Sequence, residues 1–188
     1  MADKLFIPII LGTVREGRAS EAVAHFMHTK LLALPDVQTK LIDIRTLDIP
    51  WNDEGQALAK RNQGFVDDII RADGLVIVSP EYNHGYPGSL KRALDVCFEE
   101  YERKAVGVVG VSNGMIGGAR MIEQLSQVVR RLGLSITKTD LLFPRAPEAF
   151  NEDGSPKDEK THERCAVFLN ELLFLAHSLK WGRENISE

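Results

Sequence analysis

Three short segments hold the residue types that could do chemistry. The first, Gly12-Thr13-Val14-Arg15-Glu16-Gly17-Arg18-Ala19-Ser20, sets glycines, hydroxyls and arginines just ahead of a helical period. Gly12 and Gly17 permit tight or left-handed backbone. The free N–H groups of Ser20, Glu21 and Ala22 face out from a helix start, where an anion is favoured. Thr13 and Ser20 offer hydroxyls, and Arg15 and Arg18 add forked donors suited to phosphate. Such a loop can cradle a phosphate; the plainer alternative is a strand-to-helix turn with solvated arginines. It holds neither GK[ST] nor G-x-G-x-x-G, which argues against ATP and against a Rossmann NAD site.

The second segment is Ser79-Pro80-Glu81-Tyr82-Asn83-His84-Gly85-Tyr86-Pro87-Gly88. Prolines fix its path, glycines relieve it, and between them stand aromatic rings, an amide and an imidazole. An aromatic ring beside amide donors is what a flat heteroaromatic ligand needs, and the alternative is a rigid turn carrying surface tyrosines. His84 has the chemistry for proton transfer, although the sequence offers it no acid or nucleophile as partner. In the third segment, Ser112-Asn113-Gly114-Met115-Ile116-Gly117-Gly118, the glycines let backbone N–H groups come close to a ligand edge. Close helix-to-strand packing is the competing use, Gly118 above all.

Each segment follows an apolar run and precedes a helical period, so the elements around them are βα units. Strands are expected at Leu5–Leu11, Val37–Ile44, Gly74–Ser79, Lys104–Val111 and Leu134–Thr137, the last with a continuation toward Leu142. Helices are expected at Glu21–Leu34 with Ser20 as N-cap and Pro35 as stop, at Arg61–Ala72, at Ser89–Tyr101, through Met121 to Leu132, and at Lys160–Lys180. Arg45–Lys60, with Pro50, Trp51, Asn52 and Gly55, reads as a long loop, and Phe143–Pro156 as a proline-containing connection. Right-handed crossovers then leave few topologies. The expected fold is a single α/β domain, residues 1–188: a three-layer flavodoxin-like sandwich on a five-stranded parallel sheet of order 2-1-3-4-5. Ligands of such sheets sit beyond the carboxyl ends of the strands, at the switch point, where all three segments fall.

Bulk properties narrow the partners. The 188 residues include 23 Lys plus Arg and 27 Asp plus Glu, a net charge of −4, whereas nucleic-acid binding needs a basic excess. Leu5–Leu11 is too short to span a bilayer, and no signal-peptide cleavage pattern follows it. Cys97 and Cys165 belong to no CxxC or metal spacing and suit a reducing cytoplasm. Neither nucleic acid nor membrane is expected as a partner.

In order and spacing the three segments resemble the NADPH-dependent FMN reductase family, over nearly the whole chain. Ser79–Asp95, SPEYNHGYPGSLKRALD, is similar to the family's PEYN-x-x-x-PG segment. GTVREGR looks like its GS-x-R phosphate loop, with Thr13 where serine is commoner, and SNGMIGGAR like its Gly-rich loop. The resemblance implies that Thr13, Arg15, Arg18 and Ser20, with the amides of Glu21 and Ala22, hold the FMN phosphate. It implies that Pro80, Glu81, Tyr82, Asn83 and His84 lie along the isoalloxazine, Tyr82 against the ring and Asn83 near its polar edge. Ser112, Asn113, Gly114 and Gly117 would flank the pyrimidine side or the dimethylbenzene edge. His84 and Tyr86 occupy variable positions of the family. The implied activity is hydride transfer from NADPH or NADH to flavin N5 and on to a small-molecule quinone-, azo- or metal-ion-type acceptor, by ping-pong kinetics, in a homodimer or homotetramer. No side chain need act as a nucleophile, so no catalytic residue is expected. Two other readings use the same loops: a flavodoxin-type carrier passing single electrons to a protein, and a nucleotide hydrolase or transferase with Glu81 or His84 as acid/base.

Overall fold

Apolar runs interrupted by proline and polar residues become strands in pieces. In the computed structural model, which describes residues 4–52 and 56–186, the first run is β1 (Leu5–Phe6) and β2 (Ile9–Leu11). Pro8 lies between them and brings no N–H to the ladder, although its carbonyl still accepts from Val76 N at 3.0 Å. The second run is likewise β3 (Val37–Gln38) and β4 (Leu41–Asp43). The two central strands are unbroken: β5 (Gly74–Pro80) and β6 (Ala105–Val111). The last run is β7 (Ser135–Ile136) and β8 (Leu141–Phe143). Among the described residues every pairing of these strands is parallel. A two-stranded sheet joins β1 to β3, and a six-stranded sheet runs β4-β2-β5-β6-β7 with β8 also on β6. By run this is the expected order 2-1-3-4-5, but the expectation of five continuous strands is corrected: Pro8 removes a donor between the first and second runs, and in the last run Lys138 N and Thr139 N donate to the Glu171 carboxylate.

Among the described residues six helices cover the sheet: α1 (Ser20–Leu32), α2 (Gln56–Arg61), α3 (Gln63–Arg71), α4 (Gly88–Leu94), α5 (Ala119–Arg131) and α6 (Lys160–Asn185). Alternating strand residues feed two cores. Val76, Val78 and Val109 pack with Val23, Met27, Phe168 and Leu172 of α1 and α6. Leu75, Ile77, Val106 and Val108 face the other way, onto Ile69, Leu90, Leu125 and Val129 of α3 to α5. This is the three-layer α/β arrangement of a flavodoxin-like fold.

Several element boundaries differ from the sequence reading for local reasons. The expected loop Arg45–Lys60 opens inside a 3-10 turn, Ile44–Thr46, that takes the last residue of the expected second strand, and it includes most of α2; its residues 53–55, Gly55 among them, lie outside the described residues. Asn62 separates α2 from α3, because its buried amide donates to Leu58 O and Asp48 O and accepts from Asp48 N. The expected helix Ser89–Tyr101 ends at Leu94 and resumes as a 3-10 turn, Glu99–Tyr101. There Phe98 N donates to Glu100 Oε2 at 2.8 Å instead of to a helical carbonyl. A 3-10 turn at Ala146–Glu148 occupies the connection after β8. Among the described residues, no helix is long and apolar enough to cross a membrane.

Candidate active site

Because β2, β5 and β6 are neighbours in register, the loops after Leu11, Pro80 and Val111 emerge side by side. Between them opens a cleft of about 680 Å³, within the ~300–1,000 Å³ range of cofactor sites. Arg15, Arg18 and Ser20 line it from the first loop, Pro80, Glu81 and Tyr82 from the second, and Ser112, Asn113 and Gly114 from the third. Thr13, Glu21, Ala22, Asn83, His84 and Gly117 stand outside this lining. Met115, Ile116, Arg120 and Pro147 join it. Pro147 was not foreseen, since only the fold brings the 3-10 turn after β8 to the third loop, through Arg145 N to Gly114 O at 3.1 Å and Ala146 N to Ser112 O at 3.0 Å.

Ser20 was expected to cap α1, but Ala19 holds the N-cap position and Ser20 is the first helical residue. Its hydroxyl is buried at the cleft without a hydrogen-bond partner among the described residues, an arrangement that calls for an acceptor or donor from a ligand. The Glu21 amide donates to Arg18 O at 3.2 Å. The two arginines part company. Arg18 is buried and forks onto Asp43, Nη1 to Oδ1 at 2.9 Å and Nη2 to Oδ2 at 2.5 Å, and also donates to Thr13 O. Partial burial alone would raise the Asp43 carboxyl, but hydrogen bonds from Arg18 and Arg45 outweigh it and hold the group well below the usual carboxylate range. Arg15 meets no carboxylate within ion-pair distance among the described residues; its guanidinium lies 5.4 Å from the centroid of the Tyr82 ring.

Tyr82 is tied to the first loop, its hydroxyl 2.9 Å from Thr13 Oγ1. The residues after it make a tight turn. Gly85 N donates to Tyr82 O at 3.0 Å and Tyr82 N to Gly85 O at 2.8 Å, while Asn83 and His84 both have positive φ, 50° and 67°. This is the pattern of a type I′ turn, which asparagine and histidine tolerate better than other non-glycine residues. Glu81 Oε2 accepts from Met121 N, in the first turn of α5, at 3.4 Å, and His84 Nε2 lies 2.8 Å from Arg120 Nη1. The two groups that an acid/base hydrolase would have used are thus engaged in holding the second loop to α5. In the third loop Gly117 and Gly118 have φ of 62° and 93°. A Cβ on Gly117 would stand 2.8 Å from Leu142 Cβ, and one on Gly118 would stand 2.8 Å from Val111 N. Both glycines let the loop fold back on the end of the sheet.

Among the described residues no group of His, Cys, Asp and Glu comes together as a metal site. What the cleft offers is a buried unpartnered hydroxyl and a carboxylate-free arginine at a helix start, with an aromatic ring anchored beside them. That donor set fits a phosphate-bearing flavin. Residues 7–148 match the family described as NADPH-dependent FMN reductase. The chain belongs to that family.

As a family member it is an oxidoreductase, with FMN and NAD(P)H as its cofactors. The NADH:(hydroxy)cinnamate reductase subunit CrdA of Vibrio ruber is 29% identical over 172 residues, 88% of this chain and 84% of that one. A quinone reductase of Escherichia coli K12 is 33% identical over 144 residues, 69% of this chain and 71% of the relative. Among solved structures FerB, the flavoenzyme NAD(P)H:(acceptor) oxidoreductase of Paracoccus denitrificans, shares the fold at a TM-score of 0.78 with 22% identity, covering 93% of this chain and 98% of that one.

Proposed function

We propose that the chain is a single flavodoxin-like FMN-binding domain that passes two electrons from NAD(P)H to a quinone-, azo- or metal-ion-type acceptor in two half-reactions. The buried Ser20 hydroxyl in the cleft lining, unpartnered among the described residues, carries the reading. When bound, FMN supplies the hydride chemistry, and the protein positions it. On this reading Ser20 Oγ and Arg15, with the first amides of α1, hold the phosphate. Arg18, neutralised by Asp43, fixes the loop that presents them, and Thr13 holds Tyr82. The second loop lies along the ring system, Pro80 to Tyr82 from within the cleft and Asn83 and His84 from its turn. Ser112, Asn113 and Gly114 border an edge of the ring, and Gly117 shapes the backbone behind them.

The relatives named as quinone reductases support the acceptor class. Initial rates with NADPH and a quinone varied together should give parallel double-reciprocal lines, the mark of a donor that leaves before the acceptor enters. Intersecting lines would contradict this part of the proposal. A homodimer or homotetramer in the cytoplasm belongs to the same reading. Sedimentation equilibrium of the flavin-loaded protein checks the assembly, a monomer at micromolar concentration being the contrary result; fractionation of the source cells checks the location, membrane-bound or exported protein being the contrary result.

A further inference from the structure

Phosphate and ring contacts leave one cleft residue, Arg120, without a use. It stands in the first turn of α5, and His84 of the second loop meets it there, Nε2 lying 2.8 Å from Arg120 Nη1. A guanidinium has donors only, so Nε2 is the acceptor in this contact and the ring proton sits on Nδ1. Two backbone features make the meeting possible. The primed turn sets His84 at a φ of 67°, and Gly118 at a φ of 93° starts α5 so that Arg120 falls in its first turn. Glu81 Oε2, bonded to Met121 N, pins that turn to the second loop.

Arg120 lines the cleft, and His84 stands outside that lining; both are exposed. Among the described residues Arg120 has no carboxylate within ion-pair distance. The contrast with Arg18 decides its meaning. Two oxygens of Asp43 fix Arg18 and cancel its charge, whereas a neutral imidazole fixes Arg120 and leaves its charge whole. A cation held in place but not neutralised, at the mouth of a cleft, is built to receive an oxyanion. Arg15 and Ser20 already serve the resident phosphate on the α1 side, so Arg120 faces the ligand that comes and goes.

Resting on the reductase reading, we propose that Arg120, positioned by His84, is a second oxyanion site of the cleft and selects a transient substrate bearing a phosphate, carboxylate or sulfonate group. Two sources share that chemistry, the 2′-phosphate of NADPH and an anionic acceptor.

The test uses the FMN-loaded protein. FMN affinity is measured first by flavin fluorescence, then kcat and KM with NADPH against NADH, and with menadione against 1,4-naphthoquinone-2-sulfonate. Arg120→Gln should raise KM about tenfold or more, the loss of one charge-assisted contact, for NADPH if the donor carries the oxyanion, or for the sulfonated quinone if the acceptor does. NADH, menadione, kcat and FMN affinity should stay within about twofold. His84→Leu should move the same KM in the same direction, His84→Gln, which keeps an acceptor, should restore it, and the double variant should be no worse than Arg120→Gln alone. Equal shifts within both substrate pairs, no shift at all, or weakened FMN binding in Arg120→Gln would overturn the proposal. Wild-type protein that takes up no FMN would instead overturn the reductase reading on which it stands.

Discussion

Arg15 and Arg18 share a loop and a charge and do different work. Arg18 is a structural clamp: its fork onto Asp43 holds the first loop against the end of β4, with Arg45 adding a second cation 2.8 Å from Asp43 Oδ2. Asp43→Asn should cost about 1–3 kcal/mol of stability at neutral pH. The sign with pH follows from the depressed carboxyl. Its contribution is complete above the unfolded value of about 4 and is lost as pH falls from there through the depressed folded value, so the gap in urea unfolding between wild type and variant should begin to narrow below about pH 4; a constant gap would contradict the clamp. Ser20 is the counterpart on the ligand side. Ser20→Ala should leave the melting temperature of the flavin-free protein nearly unchanged while weakening FMN binding about five- to tenfold, as fluorescence titration would report. The sequence displayed these residues as a group, since hydroxyls, arginines and a helix start stand together from Thr13 to Ser20. It could not divide them, because Asp43 is brought to Arg18 by strand pairing, just as His84 is brought to Arg120 and Tyr82 to Thr13.

At the scale of elements, hydrophobic patterning located the strands and helices but not their interruptions. Pro8, Asn62 and Phe98 each redirect backbone hydrogen bonds through a side chain or a missing N–H, and periodicity carries no record of that. The apolar period through Leu94, Cys97 and Tyr101 is real, since all three are buried, yet a break and a 3-10 turn satisfy it as well as a continuous helix would. Gly107 is a related case. It sits mid-strand in β6, where a Cβ would overlap the Phe168 ring of α6. Gly107→Ala should therefore cost about 1–3 kcal/mol by overpacking, and Phe168→Leu in the same chain should recover part of it; thermal unfolding of the two variants gives the comparison.

Across the whole molecule, the site and the anchor of the last helix lie at opposite ends of the sheet. The three loops leave the carboxyl ends of β2, β5 and β6. At the amino ends, Asp73 is buried ahead of β5, accepts from Phe6 N at 3.1 Å, and faces Arg183 at 2.9 Å and Lys180 at 3.3 Å. Arg183 also donates to Arg103 O at 2.6 Å. Asp73→Ala removes the carboxylate that α6 and β1 share, and should destabilise the fold by about 3 kcal/mol or more without changing FMN affinity below the melting transition. Equal loss of both would mean that the two ends are coupled.

FMN-dependent reduction is tested by an absorption spectrum of the purified protein with added FMN, before and after anaerobic NADPH. Bound flavin is expected, with visible bands that bleach in a single two-electron step. Protein that takes up no FMN, or bound flavin that neither NADPH nor NADH reduces, would contradict FMN-dependent reduction.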